Sequence, residues 1–169
     1  MHIPDGFLSL PTAAAAAAVA VTGIAVALRD VKRNLPPRRV PLIGLAAAFV
    51  FAAQMLNFPV AAGTSGHLIG AVLATVLVGP AAAVVVMTAV LVLQCLMFAD
   101  GGVTVLGANL LNMAVIAPAV GHLVHTALKG SSGNLRRNLI AAGFAAWCAT
   151  VVASLACAAQ LAASGTVPW

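Results

Sequence analysis

The chain has 169 residues, 63% of them hydrophobic and only 7% charged, with a mean hydropathy of +1.11. That balance lies outside the range of soluble globular domains and places the chain in a bilayer. The net charge of +5 does not indicate nucleic acid, because all eight Lys and Arg fall in two short clusters: Arg29, Lys32, Arg33, Arg38 and Arg39, then Lys129, Arg136 and Arg137.

Taken in order, the chain opens with MHIPDGFLSLPT, which holds no Lys or Arg and so lacks the basic region of a signal peptide. Residues 1–11 are expected to persist as an N-terminal segment. Apolar runs follow at about 12–28, 41–57, 65–79, 81–98, 109–128 and 139–162. With a hydrocarbon core roughly 30 Å thick and about 20 residues per crossing, these predict an all-α, polytopic membrane bundle of about six transmembrane helices, one domain over 1–169. The run 65–79 is short, and the Gly79-Pro80 pair separates it from the next. The first helix opens with Ala13 to Ala18, and the third carries Gly66, Gly70 and Ala74 at four-residue spacing. Small residues at that spacing let helices approach closely, either inside the bundle or, for the first helix, against another membrane subunit.

Basic loops face the cytoplasm. Both clusters then lie on that side, four crossings apart, which places the N-terminus, the 57–66 and 99–108 loops and the C-terminus outside a multi-pass protein of the cell membrane. The outer loops are rich in glycine and small polar residues: Gly63, Thr64, Ser65 and Gly66 in one, Asp100, Gly101, Gly102, Thr104 and Gly107 in the other.

Catalytic chemistry is thinly supplied. There is no phosphate-binding GxxxxGK[ST], no HExxH, no GxSxG, and only three carboxylates. The chain is not read as an enzyme, and ATP-driven transport would need partner subunits. Cys95, Cys148 and Cys157 lack CxxC spacing and read as buried small residues. His2 is more informative. The Met1 α-amine, the amide between Met1 and His2, and the His2 imidazole can close fused five- and six-membered chelate rings on one metal. An in-plane nitrogen set suits Ni²⁺ or Cu²⁺ and is poor for Mg²⁺, Ca²⁺ or tetrahedral Zn²⁺. His67 is the candidate for the fourth position, at the outer end of the third run. Taken singly, His2 also fits a frayed tail and His67 a histidine satisfied at a helix end. His122 and His125 fall near the cytoplasmic end of the fifth run, far from Met1. Gln54, Gln94, Asn109 and Asn112 are expected to bond across helices or orient site residues, and Asp100 to accept from a ligand imidazole or act as an entry charge. Ser65 and Asn57 join Asp100, Gln94 and Asn109 as candidates for orienting the ligands.

MHIPDGFLS at the start, LNFPVAAGTSGHLIGAVL at 56–73 and LVLQCLMFADGGVTVLGANLLNMAV at 91–115 resemble the CbiM/NikM substrate-binding components of energy-coupling factor transporters for cobalt and nickel. The resemblance spans most of the chain. It implies a helical membrane subunit whose N-terminal segment tucks into a central cavity, with the transported Ni²⁺ or Co²⁺ held in plane by the Met1 amine, the His2 amide, the His2 imidazole and the His67 imidazole. It also implies partners: a transmembrane coupling subunit, two ATP-binding subunits and a small accessory membrane protein. A further hydrophobic helix is implied after an SGTVP-like segment, whereas this sequence stops at Trp169. The competing reading is a stand-alone metal channel or secondary permease, disfavoured by the lack of acidic residues within the spans.

Overall fold

In hydrocarbon each backbone N–H and C=O must close within the protein, and the apolar runs accordingly fold as helices. A computed structural model describes residues 2–56, 58–59, 65–130 and 134–167. Helix α1 (Leu10–Asn34) leads through a 3₁₀ turn (Pro37–Arg39) into α2 (Val40–Gln54). A two-residue antiparallel ladder pairs β1 (Phe58–Pro59) with β2 (Ser65–Gly66), in the register Phe58 with Gly66 and Pro59 with Ser65. Then come α3 (Ala71–Val78), α4 (Pro80–Phe98), α5 (Leu106–Leu110), a π-helical turn (Leu111–Ile116), α6 (Ala117–Lys129) and α7 (Leu135–Ala163).

Among the described residues, 4 helices are long and apolar enough to cross a membrane: Leu10–Asn34, Pro80–Phe98, the continuous Leu106–Lys129, and Leu135–Ala163. The second and third predicted runs are shorter as helices, 15 residues in α2 and 8 in α3. Proline punctuates the ends as its fixed φ requires: Pro11 sits in the first turn of α1, that helix stops before Pro36-Pro37, and Pro80 opens α4. The basic residues ride on helix ends as well as in loops, with Lys32 and Arg33 in the last turn of α1, Lys129 closing α6, and Arg136 and Arg137 opening α7. Long stems reach the interface from there.

The predicted third helix needs correction at its start. Gly70 has φ +76 and Gly66 belongs to β2, so the helix begins at Ala71 and only Ala74 of the expected small-residue stripe is helical. Gly70 serves a close approach instead, since a Cβ there would lie 2.8 Å from Cγ1 of Val50 on α2. His67 therefore lies in the irregular segment between β2 and α3, not at the end of a helix.

Helix α4 forms the centre, packing against α1, α2, α3, α5 and α6 and burying Ala82, Ala83, Val86, Met87, Val90, Leu91, Gln94 and Cys95. The alanine tract of α1 divides between two surroundings: Ala13 and Ala16 pack inward, while Ala14, Ala15 and Ala18 face outward. On α7, Ala141, Ala145, Ala149 and Ala153 make an inward stripe at four-residue spacing, the side that α6 packs against. The π turn carries Asn112, whose amide exchanges two hydrogen bonds with Gln160 of α7, Asn112 Nδ2–H to Oε1 at 3.0 Å and Gln160 Nε2–H to Oδ1 at 2.9 Å. That reciprocal pair satisfies both amides in an apolar setting and fixes α7 beside the widened turn.

Candidate metal centre

The residues ahead of α1 are held down by the loop that joins α4 to α5. Ile3 is 2% exposed, and its backbone is gripped three times. Its N–H donates to Asn109 Oδ1 at 2.8 Å, and its carbonyl accepts from Asn109 Nδ2–H at 3.1 Å and from the Gly102 N–H at 2.9 Å. Two residues on, the Asp5 carboxylate accepts from the N–H groups of Val103 and Thr104, at 3.2 and 2.8 Å, and from the Thr104 hydroxyl. Those donors, the Thr104 hydroxyl foremost, hold the Asp5 carboxyl below its ordinary value. Gly6, at φ +84, then turns the chain toward α1, and the Phe7 carbonyl accepts from the Thr166 hydroxyl near the C-terminal end of α7.

This grip seats His2 beside His67, with ring centroids 5.0 Å apart and planes inclined by 48°. The His2 side chain is 7% exposed; its Nδ1–H donates to the Asp100 carbonyl at 3.1 Å, with the Asp100 carboxylate at 3.7 Å. Its Nε2 is buried and has no hydrogen-bond partner among the described residues. Burial holds the His2 pKa down at about 4, outweighing the upward pull of the Asp100 carboxylate, and the nearby His67 lowers it further. Burial also lowers His67, whose Nδ1–H donates to the Leu68 carbonyl at 3.0 Å. Both rings are thus neutral near pH 7, the state in which an imidazole nitrogen can ligate a metal. Because the His2 value is depressed, its contribution to stability is complete above the ordinary 6.5 and is lost as the pH falls toward 4.

Among the described residues no three His, Cys, Asp or Glu side chains gather as a metal site. Two imidazoles alone make a weak divalent-metal site, so further nitrogens would have to come from the main chain. Closing the six-membered ring with the His2 amide uses Nδ1, so the chelate requires that ring to turn about Cβ–Cγ, out of its contact with Asp100. Met1 and Asn57 lie outside the described residues, as does the side chain of Ser65.

The other candidates separate clearly. Asn109 holds the Ile3 main chain, and the Asp100 carbonyl accepts from the His2 ring in the conformation seen here. Gln94 places its side chain at zero exposure with neither amide atom hydrogen-bonded among the described residues, while its carbonyl accepts from the Asp100 N–H at 3.2 Å and so shapes the start of the loop. Gln54 donates to the Ile69 carbonyl, fixing the approach to α3. His125 is buried far along α6 and hydrogen-bonds Asn138 Oδ1 through Nε2 at 2.8 Å. The three cysteines are free, and Cys95 donates to the Gly101 carbonyl at 3.4 Å.

Asp5, Gly101 and Gly102 emerge as site residues only in three dimensions. A Cβ on Gly101, at φ +94, would lie 2.9 Å from Asn109 Nδ2 and 3.2 Å from His2 Nδ1. One on Gly102 would overlap the Asp5 main-chain nitrogen and lie 2.5 Å from Asp5 Oδ1. The Gly102→Ala variant is therefore expected to unseat residues 2–5 while leaving the bundle helical. Metal affinity should fall about ten- to a hundredfold, the range for losing an outer-shell partner. Isothermal titration beside far-UV circular dichroism checks this, and unchanged affinity would show that the grip does not set the site.

The fold is thus a membrane helical bundle whose N-terminal segment lies against the loop after α4 and brings two half-buried histidines together. The family described as the cobalt uptake substrate-specific transmembrane region, CbiM, matches residues 2–169, and the chain belongs to that family. It is similar to a fused nickel transport protein, NikMN, of Rhodobacter capsulatus, at 41% identity over 161 residues, covering 95% of this chain and 46% of that one. Similarity to the cobalt transport protein CbiM of Clostridioides difficile is 35% over 136 residues, covering 79% and 54%. A crystal structure of a truncated transition metal transporter superposes with a TM-score of 0.85 at 36% identity, over 95% of this chain and 74% of that one. The chain thus spans about half the length of the curated relatives just named. It is a multi-pass membrane protein of a nickel and cobalt transport family.

Proposed function

We propose that this chain captures Ni²⁺ or Co²⁺ at the outer face of the cell membrane and delivers it for ATP-driven uptake by an energy-coupling factor transporter. The meeting of His2 with His67, 65 residues apart in sequence, carries the reading. The Met1 amine, the His2 amide and the two imidazoles would supply four in-plane nitrogens, with Asn109 holding the ligand-bearing segment through Ile3. The metal is cargo, and the chain itself is not the enzyme. ATP hydrolysis falls to two partner subunits joined through a transmembrane coupling subunit, with a small accessory membrane protein completing the assembly.

Support comes from the transport relatives and from the composition of the interior, where Asp and Glu are missing from the buried helical residues described. A proton- or ion-coupled permease ordinarily places such groups there. Metal uptake into proteoliposomes tests the proposal. The chain alone should give no flux above protein-free vesicles, and adding the coupling subunit and ATPases should give ATP-dependent uptake. Flux without ATPases would replace this reading with a channel or secondary permease.

A further inference from the structure

The second basic cluster frames a groove of about 570 Å³ lined by Leu128, Asn134, Arg136, Arg137, Ile140, Ala141 and Phe144. Its two ends differ in chemistry. Arg136 and Arg137 line it at the start of α7, with no carboxylate among the lining residues. Arg137 is fixed in place: its Nε–H donates to the Leu128 carbonyl at 2.8 Å, and its guanidinium lies where a Cβ on Gly130 would be, about 2.8 Å from Cζ. Further along α7 the wall is apolar, with Ile140 63% and Phe144 50% exposed and the Phe144 ring 5.6 Å from that of Trp147. From Arg136 to Phe144 the helix rises about 12 Å at 1.5 Å per residue, the distance from headgroup level into the hydrocarbon.

Unbalanced cationic groups joined to an exposed apolar wall on a membrane-spanning helix complement one kind of molecule, an anionic phospholipid. We propose that this groove is a specific site for one, with its phosphate between Arg136 and Arg137 and an acyl chain along Ile140, Ala141 and Phe144. The site is separate from the histidine pair and does not depend on the transport reading.

Native mass spectrometry of the full chain, released from a neutral detergent with phosphatidylglycerol and phosphatidylcholine of identical acyl chains, tests it. The unaltered chain should retain phosphatidylglycerol preferentially. The double variant Arg136→Gln/Arg137→Gln should lose that preference by about thirtyfold, whereas Arg33→Gln/Arg38→Gln, which removes the same charge from the other cluster, should keep it. Because Arg137 also braces the end of α6, Arg136→Gln alone is the second variant, with an expected loss of about fivefold. Equal effects from both clusters would mean diffuse attraction and overturn the site. So would unchanged retention in the α7 variants, or displacement of the lipid by an acidic peptide without competition from added phosphatidylglycerol.

Discussion

One residue added ahead of Met1 is expected to abolish tight Ni²⁺ binding by a chain that otherwise folds normally. The extension turns the α-amine into an amide and removes both a ligand and the five-membered chelate ring it closes. Nor can the segment slide to offer a substitute, because Ile3 is 2% exposed and bonded on both its N–H and its carbonyl. The loss should exceed about a hundredfold, the upper range for an outer-shell partner. The pH response gives a second signature. With the His2 pKa at about 4, its imidazole needs no deprotonation between pH 5 and 8. Proton competition in that window then comes from the α-amine, ordinarily near 7.7–8.0, and from the amide. Affinity of the native chain should therefore rise with pH across that window, and the extended chain should lack the rise. Metal content and visible absorption of both forms, each checked for monodispersity in detergent, decide the matter. Equal binding by the two would remove the α-amine from the ligand set.

Much of this architecture is legible from local chemistry. Apolar runs and proline positions mark α1, α4 and α7 because hydrophobicity and fixed φ act over a few residues. The beginning of α3 is harder to read, since Ala71–Val78 continues an unbroken apolar stretch and only the left-handed φ of Gly70 stops the helix from extending back to His67. The π turn is hidden for a similar reason. Its sequence, LNMAVI, carries no breaker, and the widened turn is sustained by the distant Asn112–Gln160 pair. The site divides along the same line. His2 and His67 stand out because their residue type is rare in a membrane chain. The grip by Asp5, Gly102 and Thr104 does not, because its partners lie about a hundred positions apart and each residue alone reads as ordinary turn chemistry.

Substitution of the histidines should separate ligand from structure. His2→Ala and His67→Ala are each expected to lower Ni²⁺ and Co²⁺ affinity by at least about a hundredfold, since each removes a nitrogen for which no third side chain substitutes among the described residues. His2 lies ahead of α1 and His67 ahead of α3, outside the helices themselves, so both variants should keep their helical content. His125→Ala gives the contrast. That ring is buried and bonded to the half-buried Asn138 across the α6–α7 hairpin, so losing the bond should cost about 0.5–1.5 kcal/mol in stability. Metal affinity should stay near that of the unaltered chain, because His125 belongs to the opposite end of the bundle. Titration calorimetry beside thermal unfolding in detergent reads both quantities on the same samples. Parallel losses of affinity in all three variants would mean that binding reports only bundle integrity, and the histidine pair would lose its claim to the metal.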